Sequence, residues 1–113
     1  MKNNLIEEII TGIEDKKGNE TKLINLKKFD NVIADYFIIT DATSNTQVRA
    51  ISDNVRRRLK EKHNVSPYGV EGEENAEWIL LDYGDIIIHI FQRPAREYYD
   101  IEGLWADADI TEI

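Results

Sequence analysis

Four aspartates, Asp35, Asp41, Asp82 and Asp85, are the side chains whose type and spacing come nearest to acid–base or metal-assisted chemistry. Asp35 and Asp41 bracket one apolar run, and Asp82 and Asp85 bracket a Gly-containing turn. On an extended strand the first two share a face but stand roughly 20 Å apart, too far to share one metal ion. Asp82 and Asp85 could approach across their turn, although Asp85 is more simply a turn-forming residue. His63 and His89 lie far apart in the chain, and neither has metal-ligand spacing such as HExxH. Ser44 and Ser52 lack the GxSxG surroundings of an activated serine. No GxGxxG or Walker sequence builds a phosphate cradle. The absence of cysteine excludes disulfides, thiolate metal sites and a thiol nucleophile. The expectation is no catalytic residue, no metal ligand and no cofactor site.

Binding is the better-supported chemistry. The tract from Trp78 to Phe91, WILLDYGDIIIHIF, reads as two strands joined by Gly84-Asp85, with glycine supplying the positive φ of a tight primed turn. That register sets Trp78 opposite Phe91, Leu80 opposite His89 and Asp82 opposite Ile87. Side chains alternate across a strand, so the hairpin has two faces. Ile79, Leu81, Tyr83, Ile86, Ile88 and Ile90 form a plain core face. Trp78, Leu80, Asp82, Ile87, His89 and Phe91 form the other. Aromatic anchors beside a carboxylate and an imidazole suit a surface that another macromolecule covers. The competing reading is that the same chain covers this face itself.

The remaining elements follow from periodicity. Leu5, Ile6, Ile9, Ile10 and Ile13 mark one face of a helix over 2–17, and Gly18 stops it. Strands are expected over 21–26, 33–40 and 66–70, before the hairpin. Ser44 and Gln47 have capping-box spacing ahead of the stripe Val48, Ile51, Val55 and Leu59, which predicts a helix to about Lys62. Its other face carries Arg49, Arg56, Arg57, Arg58, Lys60 and Lys62, a solvated face with cations near the C-terminus in preference to a phosphate site. Pro94 opens a last helix that Tyr98, Ile101, Leu104 and Trp105 would pack onto the sheet. The acidic tail 107–113 is expected to fray after a domain spanning 1–106. The fold expected is a single compact α/β (α+β) domain, a mixed sheet of about five strands packed with three helices. The crossover through 45–62 should make at least one parallel strand pair.

A chain of 113 residues with 42% hydrophobic content is long enough for a modest core. The net charge of −8 is a poor footprint for nucleic acid and a better match to a basic partner, although solubility by itself accounts for the charge. No run reaches the roughly 20 apolar residues of a membrane span, and MKNNLIEEII has no signal character. A cytoplasmic protein is expected.

Two stretches, ADYFIITDATSNTQVRAISDNV at 34–55 and GVEGEENAEWILLDYGDIIIHIFQRPAREYYDIEGLWADA at 69–108, carry a further indication. Through them the chain resembles the Iojap family of ribosomal silencing factors (RsfS) over nearly its whole length. The resemblance implies a nucleotidyltransferase-like fold without catalytic residues. It implies binding to a basic protein of the large ribosomal subunit, the L-fourteen protein, which hinders joining of the small subunit and represses translation when nutrients are scarce. It also implies a tendency to form homodimers. A nucleotidyltransferase of this fold would carry a Gly-Ser turn and an Asp-x-Asp pair. Gly-Ser is absent, and the one Asp-x-Asp, Asp107-Ala108-Asp109, lies in the acidic tail. The partner surface carried over is Trp78, Leu80, Asp82, Tyr83, His89 and Phe91. Tyr83 is included for its place at the turn, and Asp82 would meet a lysine or arginine. Arg96, Tyr99 and Trp105 fit the family pattern chiefly as fold residues. A diverged nucleotidyltransferase and an adaptor for another basic protein are the competing functions.

Overall fold

The computed structural model describes residues 2–113, with the side chains of residues 2 and 3 left aside. The order is α1 (Lys2–Asp15), β1 (Asn19–Asn25), β2 (Tyr36–Ala42), α2 (Asn45–His63), β3 (Gly69–Glu71), β4 (Trp78–Asp82) and β5 (Ile86–Gln92). It ends with α3 (Arg93–Tyr99), α4 (Ile101–Leu104) and β6 (Asp109–Glu112). The strands form one mixed sheet in the order β3-β4-β5-β2-β1-β6. β2 and β5 are its parallel pair, as the crossover through α2 requires.

The sheet has two unequal faces. On one, α1 and α2 bring Ile6, Ile9, Ile13, Val48, Ile51, Val55 and Leu59 onto Ile38, Ile79, Leu81, Ile86, Ile88 and Ile90. The apolar stripe of α2 is fully buried, from Val48 to Leu59. On the other face the cover consists of the segment between β1 and β2 and the chain after β5. Leu26, Phe29, Val32, Ala34, Ile101 and Trp105 pack there on Phe37, Ile39, Ile87 and Phe91.

Several boundaries differ from the sequence expectation. The sheet has six strands, because the tail expected to fray runs antiparallel to β1, with Leu23 opposite Thr111. Its four residues are all exposed, so backbone pairing rather than burial holds it. β2 begins at Tyr36 instead of residue 33, since the N–H groups of Asp35 and Tyr36 both donate to the Asp85 carbonyl at the hairpin turn. It continues through Asp41, which therefore lies in the sheet and not in a loop. The short strand expected over 66–70 is shifted to Gly69–Glu71. The last helix is broken at Asp100, which adopts φ 46° and caps the next turn through the Gly103 N–H. Ile101 and Trp105 pack inward as expected, but Tyr98 and Leu104 are 82% and 77% exposed.

Half of the expected capping box forms. Ser44 Oγ accepts from the Gln47 N–H at 3.1 Å. The Gln47 side chain reaches back to the Thr43 N–H instead of the cap residue's own, and its amide donates to the carbonyls of Lys16 and Lys17. Gln47 thus ties the start of α2 to the end of α1.

Candidate functional site

The hairpin forms in the register expected, from Trp78 opposite Phe91 to Asp82 opposite Ile87. Gly84 adopts φ 83°, which a side-chain-bearing residue rarely does. Asp82 Oδ1 accepts from the Gly84 N–H at 2.8 Å, so one oxygen of this carboxylate closes the turn. The residue remains half-exposed.

The six residues expected to meet a partner divide three ways. Trp78, Leu80 and Asp82 are half-exposed on the thinly covered sheet face. His89 and Phe91 are only 3% and 1% exposed, so both are corrected from contact residues to supporting ones. The cause is that β5 lies in the middle of the sheet, where Phe37 of β2 and the Trp78 ring close over it. Tyr83 is also corrected. It packs against the core beneath α1 and α2, on the far side of the sheet, as the alternation dictates. Burial pushes its phenol up to about 12, against the opposing pull of Arg56.

Trp78 is the centre of this face. Its ring stacks on Phe91 at 5.0 Å and lies 4.8 Å from Tyr99, which touches Tyr98 edge-on at 5.1 Å. Its indole Nε1–H donates to His89 Nδ1 at 3.1 Å. Burial lowers the His89 pKa to about 4, which keeps the ring neutral and its Nδ1 able to accept. The second imidazole nitrogen, Nε2, is buried without a partner. A cleft of about 140 Å³ beside the indole is lined by Gly72, Asn75, Glu77, Trp78 and Tyr99. Tyr98 and Tyr99 were expected to pack the last helix onto the sheet and not to flank the partner face, and the cleft beside the indole carries no sequence signal.

The aspartates do not converge on a reaction centre. Asp41 is 2% exposed and is engaged by Arg96 at 2.9 Å and Arg93 at 3.3 Å. Arg96, itself buried, also pairs with Glu102 at 3.0 Å, so one guanidinium joins β2, α3 and α4. Burial alone would lower the Arg96 pKa, but bonding and charge from Glu102 and then Asp41 leave it raised. Hydrogen bonding from Arg96 is the largest cause holding Glu102 below the usual carboxylate range, with Lys22 assisting. Reading Arg96 as a fold residue therefore agrees with its geometry. Among the described residues no group of three or more His, Cys, Asp or Glu could hold a metal ion.

The cations of α2 are mostly occupied. Arg49 donates to the carbonyls of Glu73 and Glu74, Arg56 pairs with Glu73, Arg57 with Glu61, and Arg58 with Glu8 and Asp15. A groove of about 630 Å³ runs between Arg56, Arg57 and Lys60 on one side and Ser66, Pro67 and Val70 on the other, and Trp78 does not line it. The groove is wide open, and two of its three cations, Arg56 and Arg57, are already paired with carboxylates while Lys60 bonds to Asn64, so the aromatic face is the stronger candidate.

A sheet with helices on one side and a half-open aromatic face on the other has the anatomy of a module that works by contact. The family described as "Ribosomal silencing factor during starvation" (RsfS) matches residues 1–113. The ribosomal silencing factor RsfS of Halalkalibacterium halodurans is 34% identical over 96% of this chain and 92% of its own length. The RsfS of Haemophilus influenzae is 37% identical, covering 90% of this chain and 98% of its own. Among solved structures, a Chromobacterium violaceum protein superposes with a TM-score of 0.86 at 35% identity, covering 92% of this chain and 85% of that one. The chain belongs to the ribosomal silencing factor family, a family of translational regulators rather than enzymes.

Proposed function

We propose that this protein binds the large ribosomal subunit through a basic ribosomal protein, the L-fourteen protein, and sterically prevents the small subunit from joining. Translation falls when nutrients are limiting, and the protein acts in the cytoplasm. The observation that carries this reading is the thinly covered sheet face centred on Trp78, in a chain that belongs to the silencing-factor family. Large aromatic side chains at the centre of a contact supply most of its energy. Trp78 and Leu80 serve as apolar anchors, with Tyr99 beside them. Glu77, at the edge of the cleft next to the indole, and Asp82 at the turn present negative charge to a lysine or arginine. The net charge of −8 draws a basic protein and repels exposed RNA, which favours a protein contact over a direct rRNA one. When no partner is bound, two copies cover their apolar faces against each other.

The test is sedimentation with purified subunits. The protein is expected to travel with isolated large subunits and to reduce their reassociation with small subunits in proportion to occupancy. Equal binding to small subunits, or unchanged reassociation at saturating protein, overturns the reading.

A further inference from the structure

The Trp78 indole N–H can only donate, so the nitrogen that faces it, His89 Nδ1 at 3.1 Å, must accept. The imidazole is therefore neutral with its proton on Nε2, and that N–H is buried with no partner. A buried unsatisfied donor costs stability, and an apolar residue of similar size would avoid the cost. Every ring packed around the imidazole, Phe37, Trp78 and Phe91, is uncharged. Its Cα neighbours on the two flanking strands, Ile39 and Leu80, are apolar. Among the described residues, the one hydrogen bond of the imidazole is that from the indole.

We propose that His89 is a positioning residue, which holds the Trp78 indole in a single orientation on the partner face. Stacking on Phe91 and the tilted contact with Tyr99 fix the ring plane but not which edge points inward, because a flipped indole keeps much of the same apolar contact. The hydrogen bond removes that freedom. In the flipped ring the N–H would lose its acceptor, and His89 would then have two unsatisfied nitrogens instead of one. A pre-oriented anchor also loses less side-chain entropy on binding. The depressed pKa of His89 is consistent with this role, since a protonated Nδ1 could not accept. The proposal rests on the preceding section only for the identity of what binds.

Three variants test it: His89→Leu, His89→Asn and His89→Gln. An asparagine oxygen falls near the place of Nδ1, and a glutamine oxygen near that of Nε2. The first readout is solvent exchange of the Trp78 indole N–H by NMR, with the Trp105 indole as internal reference. The second is affinity for isolated large subunits. His89→Leu should keep the fold, speed indole exchange at least tenfold and weaken binding five- to tenfold. His89→Asn should restore slow exchange and most of the affinity, whereas His89→Gln should not. If exchange is unchanged in His89→Leu, or if the asparagine and glutamine variants behave alike, the positioning role falls. If His89→Leu does not fold, the asparagine and glutamine pair still decides. Should the wild-type protein fail to bind large subunits, the proposed function fails, while the exchange readout still tests the orientation.

Discussion

Arg96 shows how a single side chain can hold three elements. Its guanidinium lies between Asp41 and Glu102, and both it and Asp41 are buried. Removing one partner of a buried pair leaves an uncompensated charge, so Arg96→Met should cost about 3–5 kcal/mol in denaturant unfolding. Trp78 and Ile88 should separate binding from stability. Ile88 is 0% exposed, and Ile88→Ala should lose about 2–5 kcal/mol through a cavity. Trp78 is half-exposed and stacks on Phe91, so Trp78→Ala should lose less stability, about 1–2 kcal/mol. Its affinity for large subunits should fall by about 2–4 kcal/mol. Because Asp82 closes the turn with one oxygen, Asp82→Asn is the variant that removes charge and keeps the bond. It should slow association and flatten its dependence on salt. His89 adds a pH signature. Its folded pKa is about 4 against an ordinary 6.5, so below 6.5 the unfolded chain takes a proton that the folded one refuses. Stability is therefore full above pH 6.5 and falls by about 3 kcal/mol as the pH drops to 4. Glu102 contributes with the same sign at lower pH, its depressed pKa giving stability that is lost as the carboxylate is protonated. An otherwise matched His89→Leu protein should lack the loss between pH 6.5 and 4.

At the scale of elements, α2 and the two sheet edges are the informative parts. Ser44 caps α2, and Ser44→Ala should cost about 1 kcal/mol in thermal or denaturant unfolding. Gly72 shows why one turn glycine is needed. At φ 87° an added Cβ would fall 1.9 Å from the Trp78 carbonyl oxygen, so the turn before β4 can close only with glycine. Gly72→Ala should therefore displace the start of β4, and with it Trp78, and lower both stability and affinity. β6 holds to β1 by backbone pairing with little burial. Deleting residues 109–113 should speed amide hydrogen exchange along β1 while leaving global unfolding within about 2 kcal/mol of the full chain.

The whole molecule separates its charges by place. The net charge of −8 is spread over a chain in which α2 alone carries Arg49, Arg56, Arg57, Arg58, Lys60 and Lys62. Five of these six are bound to carbonyl or carboxylate oxygens of the same chain, which leaves the acidic balance to govern long-range attraction. Association with a basic partner should accordingly slow as salt rises, since the Debye length falls to about 8 Å at physiological ionic strength.

What the sequence determined by itself is whatever local periodicity encodes. The hairpin register from Trp78 to Phe91 followed from a Gly-Asp turn between β-branched runs, and the buried stripe of α2 from Val48, Ile51, Val55 and Leu59. The alternation alone also set Tyr83 on the helix-covered side. The thinly covered face was legible as a set of residues, but not how much of it the chain covers. That depended on strand order, because β5 lies inside the sheet and β4 nearer its edge. His89 and Phe91 are therefore buried while Trp78, one strand outward, is not. Only the tertiary structure could pair β6 with β1, because four exposed residues of mixed type carry no apolar pattern and gain their partner only when the β1 edge is already in place. The same holds for Asp41. It lay just past the strand expected over 33–40, and the guanidinium that stabilises its charge comes from residue 96, brought to it by the parallel pairing of β2 with β5.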